Sequence, residues 1–436
     1  MPDGWSWCRI SALGTTNIGL TYKPTDICKD GTMVLRSSNI KNGKIDLTDL
    51  VKVNAIIRDN QYMETNDILI CARNGSKSLV GKCAIYKELK EKAAFGAFMT
   101  VLKTPCYKFA FYFLNTRFFR AILDSDDSKQ INQLTQDLLK NALIPLPPFA
   151  EQNRITSHLD NAYSLIEEIN EHSSELETLK NLLKSKILEL AIQGKLVEQD
   201  ENDEPASVLL ERIRAEKKAQ LGKKYVESYI YKGDDNCYYE KIDSEVKNIT
   251  EEIPFDLPIS WEWIRLSTIT SLVTKGTTPR GGNFSYVDAG IGFLRAENIC
   301  GLNRVSIDNL KYVTSETHNG FLKRSILQEN DILITIAGTL GRTGIVLKDF
   351  LPLNTNQAIS IVRILKDKKI NLNYLIFALN APSINKALLS KSVEMAIPNL
   401  SLENISDCII PFPPVKEQNR ISCKIEKLLQ ILKDEG

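Results

Sequence analysis

The chain carries one series of short motifs twice, and this repetition constrains its fold more than any other feature of the sequence. The segment Pro147–Ile155 has a close copy at Pro413–Ile421, and both contain Glu-Gln-Asn-Arg-Ile. Further pairs recur in the same order: Trp5 and Trp7 with Trp261 and Trp263, Leu35-Arg36 with Leu294-Arg295, Asp67–Ile70 with Asp331–Ile334, and Gly81-Lys82 with Gly341-Arg342. Collinear matches of this kind indicate a tandem duplication. Two copies favour two-fold pseudo-symmetry over a solenoid, which needs about three or more repeats.

Each copy contains the pattern of a small mixed domain. Apolar runs at Asp67–Ala72 and Asp331–Ala337 end near glycines, which predicts buried strands followed by turns. Second strands are predicted at Cys83–Tyr86 and Gly344–Leu347. Helical spacing of apolar residues predicts helices over Tyr107–Leu123 and Asn371–Leu389, and we interpret the aromatic residues Phe109, Phe113 and Phe119 as core.

A long amphipathic helix is predicted between the copies. Residues 150–192 contain neither proline nor glycine, and Gly194 follows as a C-terminal stop. A second, shorter helix begins at Lys416 and keeps part of the same apolar pattern. We expect the two helices to form an antiparallel pair along a seam of apolar residues spaced three or four apart. The seam comprises Ile155, Leu159, Ile166, Ile169, Leu176, Leu183, Ile187, Ile421, Ile425 and Leu428.

These patterns define the expected fold class, an α/β (α+β) tandem duplication in which long coiled-coil-type helices separate two globular mixed α/β domains. The copies diverge strongly between the shared motifs, so one scaffold is expected to carry two different reading surfaces. The predicted divisions are a first domain over 1–148, a central helix and linker over 149–252, a second domain over 253–414 and a short C-terminal helix over 415–436.

Composition excludes several classes of protein. No apolar stretch approaches the roughly 18 residues of a membrane span, and the N-terminus lacks the pattern of a secretory signal. The 9 cysteines contain no C-x-x-C pair, and the 3 histidines are isolated, so reduced thiols in the cytoplasm fit better than disulfides or a zinc site. We therefore predict a cytoplasmic protein without a metal.

The sequence lacks the motifs of phosphate-binding loops, adenine methyltransferases and nucleases. The glycines between Ala337 and Gly344 lack the Lys-Ser/Thr pair of a phosphate-binding loop, and a hairpin turn explains them better. Leu146 precedes Pro147-Pro148-Phe149, where adenine methyltransferases have an acidic or amide residue. Asp67 and Asp331 each stand alone ahead of a strand, as turn caps do, and not in the carboxylate cluster of a nuclease. We expect no catalysis by this chain.

The repeated motifs resemble those of the specificity subunits of Type I restriction-modification systems. The resemblance spans essentially the whole chain. The motifs on which the resemblance depends are Trp261-Glu262-Trp263, Lys275–Pro279, Leu294–Ile299, Asp331–Ile334, Gly341-Arg342, Asn356-Gln357-Ala358, Ile410–Ile421, Ala191–Val197 and Asn202–Ser207. Two of these, Lys275–Pro279 and Asn356-Gln357, have no clean counterpart in the first copy.

The resemblance implies a non-catalytic subunit with two target-recognition domains, each of which contacts one half of a split, asymmetric site in double-stranded DNA. It also implies that the conserved helices dock two methyltransferase subunits, which methylate adenine, and that endonuclease subunits, which cleave DNA, join the full complex. S-adenosylmethionine, ATP and Mg²⁺ would then belong to the partners, and this chain would bind no cofactor. In the family the helices close a circular arrangement, and the short C-terminal helix leaves open whether this chain closes it alone.

Local charge agrees with a DNA-binding role, although the net charge of the chain is only +1. Residues 1–148 carry a net charge of +6 and residues 253–414 carry +3, whereas residues 149–252 carry −9. Neutralisation of phosphates is local to the surface that faces DNA, so two basic domains around an acidic linker suit this role.

Basic residues in predicted loops are the candidate DNA contacts. They are Arg36, Lys41, Lys44, Arg73, Lys77 and Lys82 in the first copy and Arg280, Arg295, Arg304 and Arg342 in the second. Arg36 and Arg295 recur in both copies, which indicates a shared role such as anchoring. Residues that differ between the copies are candidates for reading bases: Asn42, Gln61 and Asn74, against Asn283, Asn303 and His318.

Two other functions stay open on sequence grounds. A scaffold or adaptor whose duplicated domains bind protein without DNA would show the same repetition. An enzyme, such as the remnant of a fused methyltransferase, is disfavoured by the missing motif before Pro147.

Overall fold

The computed structural model describes residues 1–124, 132–281, 286–366, 369–390 and 399–434. The chain forms two compact units, Met1–Ser173 (unit 1) and Ser174–Gly436 (unit 2). Both units mix helices with β-sheets, which confirms the predicted α/β class.

The helices include one that is far longer than the others. In chain order they are α1 (Ile10–Leu13), α2 (Tyr107–Leu114), α3 (Arg117–Asp124), α4 (Gln136–Asn141), α5 (Phe149–Ile192), α6 (Ala206–Leu221), α7 (Leu266–Ile269), α8 (Ser315–Asn319), α9 (Leu372–Asn380), α10 (Pro382–Ser390), α11 (Leu402–Ser406) and α12 (Val415–Asp434). None of the helices in the described ranges combines the length and the hydropathy that crossing a lipid bilayer requires.

The strands of unit 1 form small sheets. They are β1 (Ser6–Arg9), β2 (Thr15–Ile18), β3 (Ile27–Leu35), β4 (Ile40–Lys41), β5 (Lys44–Ile45), β6 (Val51–Val53), β7 (Ile68–Cys71), β8 (Cys83–Ile85), β9 (Ala93–Phe95), β10 (Met99–Lys103) and β11 (Leu143–Leu146). The sheet orders are β2-β10-β7-β8, β6-β3-β9, β1-β11 and β4-β5.

Unit 2 contains the corresponding strands and one additional sheet. Its strands are β12 (Ser228–Lys232), β13 (Tyr238–Ile242), β14 (Glu245–Asn248), β15 (Glu262–Arg265), β16 (Thr270–Lys275), β17 (Ile291–Leu294), β18 (Ile299–Gly301), β19 (Arg304–Val305), β20 (Lys311–Val313), β21 (Ile332–Thr335), β22 (Thr343–Ile345), β23 (Leu353–Thr355), β24 (Ile359–Ile364) and β25 (Ile409–Phe412). The sheet orders are β16-β24-β21-β22, β20-β17-β23, β15-β25, β18-β19 and β12-β13-β14.

The two units repeat one topology strand for strand. Sheet β2-β10-β7-β8 corresponds to β16-β24-β21-β22, and β6-β3-β9 corresponds to β20-β17-β23. The sheets β6-β3-β9 and β20-β17-β23 each contain one parallel pair, in which Leu35 lies opposite Phe95 and Leu294 lies opposite Thr355. The topology therefore agrees with the duplication inferred from the motifs. The sheet β12-β13-β14 lies within residues 149–252, which the sequence analysis predicts to be a central helix and a linker.

Strands β7 and β21 form where the sequence predicts them, and the same turn precedes both. All four residues of each strand are buried. Asn66 and Asn330 adopt positive φ angles of 76° and 69°, a conformation that asparagine tolerates better than most residues. The following carboxylates cap the turn, because Asp67 accepts a hydrogen bond from the Glu64 amide at 2.8 Å. Asp331 accepts one from the Gln328 amide at 2.7 Å, which agrees with the turn-cap interpretation.

Two helices predicted as continuous are each interrupted. Residues 107–123 form α2 and α3, and a new helix starts after Thr116, whose Oγ1 accepts a hydrogen bond from the Phe119 amide at 3.2 Å. Residues 371–389 form α9 and α10, and Pro382 begins the second helix because it has no amide hydrogen to continue the first. The aromatic residues Phe109, Phe113 and Phe119 are buried in the core, as predicted.

Helix α5 is continuous from Phe149 to Ile192, as the sequence predicts. Each end of the seam is covered within its own unit. At the N-terminal end, Ile155 packs on the core of unit 1 and Leu159 is half-buried. At the C-terminal end, Ile187 is buried in the core of unit 2, which also contains Ile421, Ile425 and the partly buried Leu428. The middle of the seam is exposed, with exposed fractions of 51% for Ile166, 64% for Ile169, 48% for Leu176 and 47% for Leu183. The predicted antiparallel helix pair therefore stays a prediction.

A buried polar cluster joins three segments of unit 2. Glu417 accepts hydrogen bonds from Trp261 Nε1 at 2.9 Å and from Gln199 Nε2 at 2.6 Å. Arg420 forms an ion pair of 2.8 Å with the buried Asp203. The cluster connects the loop after α5 with the residue before β15 and with α12. In unit 1, Trp5 is the counterpart of Trp261, and its Nε1 is buried without a hydrogen-bond partner within residues 1–124 and the other described ranges.

Burial raises the pKa of Glu417 above its ordinary value, although its bonds to Trp261 and Gln199 favour the charged form. A carboxyl group whose pKa is raised by folding contributes stability at low pH, and this contribution is lost as the pH rises through the folded-state pKa. We expect the free energy of unfolding of the wild type, measured relative to the Glu417→Gln variant, to fall as the pH rises from about 4.5 towards neutrality. Urea unfolding at several pH values measures this difference, and a constant difference would contradict the expectation.

Candidate nucleic-acid interface

In both units an equivalent turn joins the three-stranded sheet that contains the parallel pair to the four-stranded sheet. In unit 1 it connects β9 to β10 through Gly96-Ala97-Phe98, and the Gly96 amide donates a hydrogen bond to the Leu35 carbonyl at 2.9 Å. In unit 2 it connects β23 to β24 through Asn356-Gln357-Ala358, and the Asn356 amide donates to the Leu294 carbonyl at 3.2 Å. We call these segments the unit 1 turn (96–98) and the unit 2 turn (356–358).

A glycine directly after the neighbouring strand, β2 in unit 1 and β16 in unit 2, packs against each turn. A Cβ atom on Gly19 would lie 2.2 Å from the Gly96 carbonyl oxygen, and one on Gly276 would lie 2.1 Å from the Asn356 carbonyl oxygen. No side chain fits at either position. The motifs at Lys275–Pro279 and Asn356-Gln357 have no clean counterpart in the sequence of the first copy, but the structure places Gly19 and the unit 1 turn at the positions equivalent to Gly276 and the unit 2 turn. The two copies share a backbone arrangement there, with few residues in common, and only the glycine is a sequence signal.

Arg36 and Arg295 lie beside these turns in equivalent environments. Their backbone amides each donate a hydrogen bond of 2.9 Å to an asparagine side chain, Asn39 and Asn298 respectively. Arg36 Nη2 contacts Asp49 at 2.8 Å, and Arg295 Nη2 is bonded to Glu297. In both arginines Nε is buried and has no hydrogen-bond partner among the residues that the structure describes.

Three lysines among the candidate contacts of unit 1 are paired with carboxylates. Lys41 lies 2.8 Å from Asp46, and its bond, with those from Thr48, holds the pKa of Asp46 well below its ordinary value. Lys44 lies 2.7 Å from Glu167 and Lys77 lies 3.4 Å from Asp124. Exposed pairs of this kind contribute little to stability, so phosphates could displace the carboxylates.

Lys82 and Arg73 have other surroundings. Lys82 Nζ donates a hydrogen bond to the Ile40 carbonyl at 3.1 Å. The Arg73 guanidinium lies 5.5 Å from the centre of the Phe98 ring, and the Phe98 side chain is 59% exposed. A groove of about 490 Å³ adjoins this pair and is lined by both Phe98 and Arg36.

The candidate arginines of unit 2 are spread over its surface. The Arg280 guanidinium lies 5.0 Å from the centre of the Phe321 ring. Arg304, in β19, and Arg342, in the hairpin between β21 and β22, are both exposed. That hairpin contains Gly338 and Gly341 at positive φ angles of 78° and 77°, which agrees with the interpretation of this glycine-rich segment as a turn.

Several of the polar residues that differ between the copies serve the fold. His318 is buried, and its Nδ1 lies 2.5 Å from Asn354 Oδ1. Asn303 Nδ2 donates to Asn373 at 3.3 Å, and Asn74 Nδ2 donates to Ser37 at 3.2 Å. Gln61 accepts a bond from the Arg58 amide, Asn42 occupies a hairpin turn, and Asn283 lies outside the described residues. The burial of His318 argues against a role for it in reading bases.

The known proteins that this chain resembles come from type I restriction-modification systems. The specificity subunit of the type I restriction enzyme EcoKI of Escherichia coli (strain K12) is 26% identical over 444 residues, which cover 98% of this chain and 82% of that protein. The specificity subunit of EcoBI of Escherichia coli is 25% identical over 436 residues, which cover 97% of this chain and 79% of that protein. A chain in a solved structure of the type I R-M system has the same fold, with a TM-score of 0.64, 16% identity, and coverage of 99% of this chain and 92% of that one.

The sequence pattern of one family matches both copies. The family is described as the Type I restriction modification DNA specificity domain, and its matches cover residues 2–178 and 258–435. These two matches together span most of the chain and coincide with the duplicated topology. The chain therefore belongs to the family of Type I restriction-modification DNA specificity subunits.

Proposed function

We propose that this chain is the DNA-binding specificity subunit of a Type I restriction-modification complex and that it recognises a bipartite, asymmetric DNA site. Unit 1 and unit 2 each read one half of the site. The observation that carries the proposal is the repeated topology with unlike exposed residues, because one scaffold with two surfaces suits a site whose halves differ in sequence.

The partners in this proposal are two methyltransferase subunits and, in the full complex, restriction endonuclease subunits. The exposed apolar seam in the middle of α5 supports docking of helical protein segments, because such a surface is costly in water. The net charge of −9 over residues 149–252 disfavours DNA at the linker. Methylation of adenine and cleavage, with S-adenosylmethionine, ATP and Mg²⁺, are assigned to the partners. The complex acts in the cytoplasm.

Selection from a random pool of DNA duplexes tests this proposal. The chain, assembled with its cognate methyltransferase, is expected to enrich a split motif with a fixed gap between the halves. Binding is expected to weaken by about 10³-fold or more between 50 and 200 mM salt, as for a protein that contacts several phosphates. Enrichment of no split motif, together with affinity that does not depend on salt, would favour the protein-binding scaffold instead.

A further inference from the structure

We infer that the unit 1 turn and the unit 2 turn contact base edges, and that Arg73 with Phe98 in unit 1 and Gln357 in unit 2 determine the specificity of the two half-sites. This inference rests on the proposed function and assigns it to particular side chains. Its basis is an equivalence of position combined with a difference in chemistry.

Backbone hydrogen bonds establish the equivalence. The Ala72 amide donates to the Phe98 carbonyl at 2.9 Å, and the Ile336 amide donates to the Ala358 carbonyl at 2.8 Å. Phe98 and Ala358 therefore occupy the same place in the two units. Arg73 corresponds in the same way to Ala337, since each forms an isolated antiparallel bridge, with Gln133 and with Asn399 respectively.

The unit 1 turn presents a cation and an aromatic ring. Gly96 and Ala97 add little to the surface, so the pair of Arg73 and Phe98 dominates it. An arginine can bond both O6 and N7 of guanine, and an apolar ring can contact the methyl group of thymine. Because both equivalents in unit 2 are alanines, Ala337 and Ala358, unit 2 has neither the arginine that bonds guanine nor the large aromatic surface at these positions.

The unit 2 turn presents a side-chain amide instead. Asn356 Oδ1 accepts a hydrogen bond from the Ala358 amide at 3.2 Å, so this side chain holds the turn in shape. Gln357, at its tip, is exposed. A glutamine can donate to N7 and accept from N6 of adenine in the arrangement that distinguishes adenine from other bases. The unit 2 turn is therefore suited to adenine.

The arginine that both units share supplies an anchor at each turn. A Cβ atom on Gly96 would lie 3.9 Å from Arg36 Cγ, which places the Arg36 side chain against the unit 1 turn. Its Nε, like that of Arg295, is a buried donor without a partner in the described part of the chain. A residue that is the same in both copies cannot distinguish two half-sites, whereas it can hold a phosphate beside each of them.

Replacing Gln357 with glutamate tests the inference through a change of base preference. Glutamate accepts a hydrogen bond from N4 of cytosine and cannot donate to adenine N7. In the duplex selection described above, Gln357→Glu is expected to change one position of one half-site from adenine to cytosine, with a change in relative affinity of about 10- to 100-fold. The other half-site is expected to stay as in the wild type.

Arg73→Ala is the corresponding change in unit 1. It is expected to weaken the preference for guanine at one position of the half-site that unit 1 reads. Gln220→Glu, at an exposed position of α6, adds the same charge elsewhere and is expected to leave both half-sites unchanged. A Gln357→Glu chain that selects the wild-type motif, or that loses both half-sites equally, overturns the inference alone. A wild-type chain that selects no split motif overturns the proposed function, and this inference with it.

Discussion

Replacing Arg363 with alanine is expected to lower the free energy of unfolding of unit 2 by about 3–5 kcal/mol. Arg363 Nε and Nη2 each lie 2.7 Å from one carboxylate oxygen of Asp331. Asp331 is fully buried, whereas Arg363 is partly exposed. The large effect follows because alanine leaves a buried charge that, among the described residues, keeps the hydrogen bond that it accepts from the Gln328 amide.

Hydrogen exchange of strands β21 and β24 at increasing urea concentrations measures this loss within unit 2. Arg324→Ala removes an exposed arginine of the same unit, and its effect is expected to stay within about 0.5 kcal/mol. A loss below about 1 kcal/mol for Arg363→Ala would show that the pair does not stabilise the sheet. The equivalent Asp67 of unit 1 is 3.4 Å from Lys103, a single and longer contact, so Lys103→Ala is expected to cost less.

Inserting seven residues into the exposed part of α5, between 170 and 180, is expected to abolish recognition of the wild-type site and to create a new one. Seven residues are close to two helical turns, so the seam keeps its face. The helix becomes about 10 Å longer, which corresponds to about three base pairs of DNA. If α5 determines the separation of the half-sites, the selected gap changes by that amount while both half-site sequences persist.

The duplex selection also measures this change. The matched control places the same seven residues in the exposed turn at Asp234-Asp235, between β12 and β13, and is expected to leave the gap unchanged. An unchanged gap in the α5 variant would mean that another element sets the spacing.

The sequence was sufficient to predict the parts of the fold that depend on local patterns. The short apolar runs after Asp67 and Asp331 predicted β7 and β21, because a short apolar run beside a turn is typical of a buried strand. The absence of proline and glycine between Ala150 and Ile192 predicted α5 nearly to the residue. The repeated motifs predicted the duplicated topology and the family.

Features that depend on distant contacts could not be predicted in this way. The unit 1 turn and the unit 2 turn share no side chains, and their equivalence depends on backbone hydrogen bonds to Leu35 and Leu294. The pairing of Lys44 with Glu167 joins residues that are 123 positions apart. The sheet β12-β13-β14 was not predicted because its segment is rich in charged residues. One of them, Glu240, is nevertheless buried and forms an ion pair of 2.7 Å with Arg265.

A map of modified bases in genomic DNA tests the central claim most directly, namely that the two units read two different half-sites. The map is made by sequencing that detects methylated adenine in cells that express this chain with its methyltransferase. We predict a single split motif, with two unlike halves, a fixed gap and one methylated adenine in each half. A continuous motif, two identical halves or no motif that depends on this chain would contradict the account.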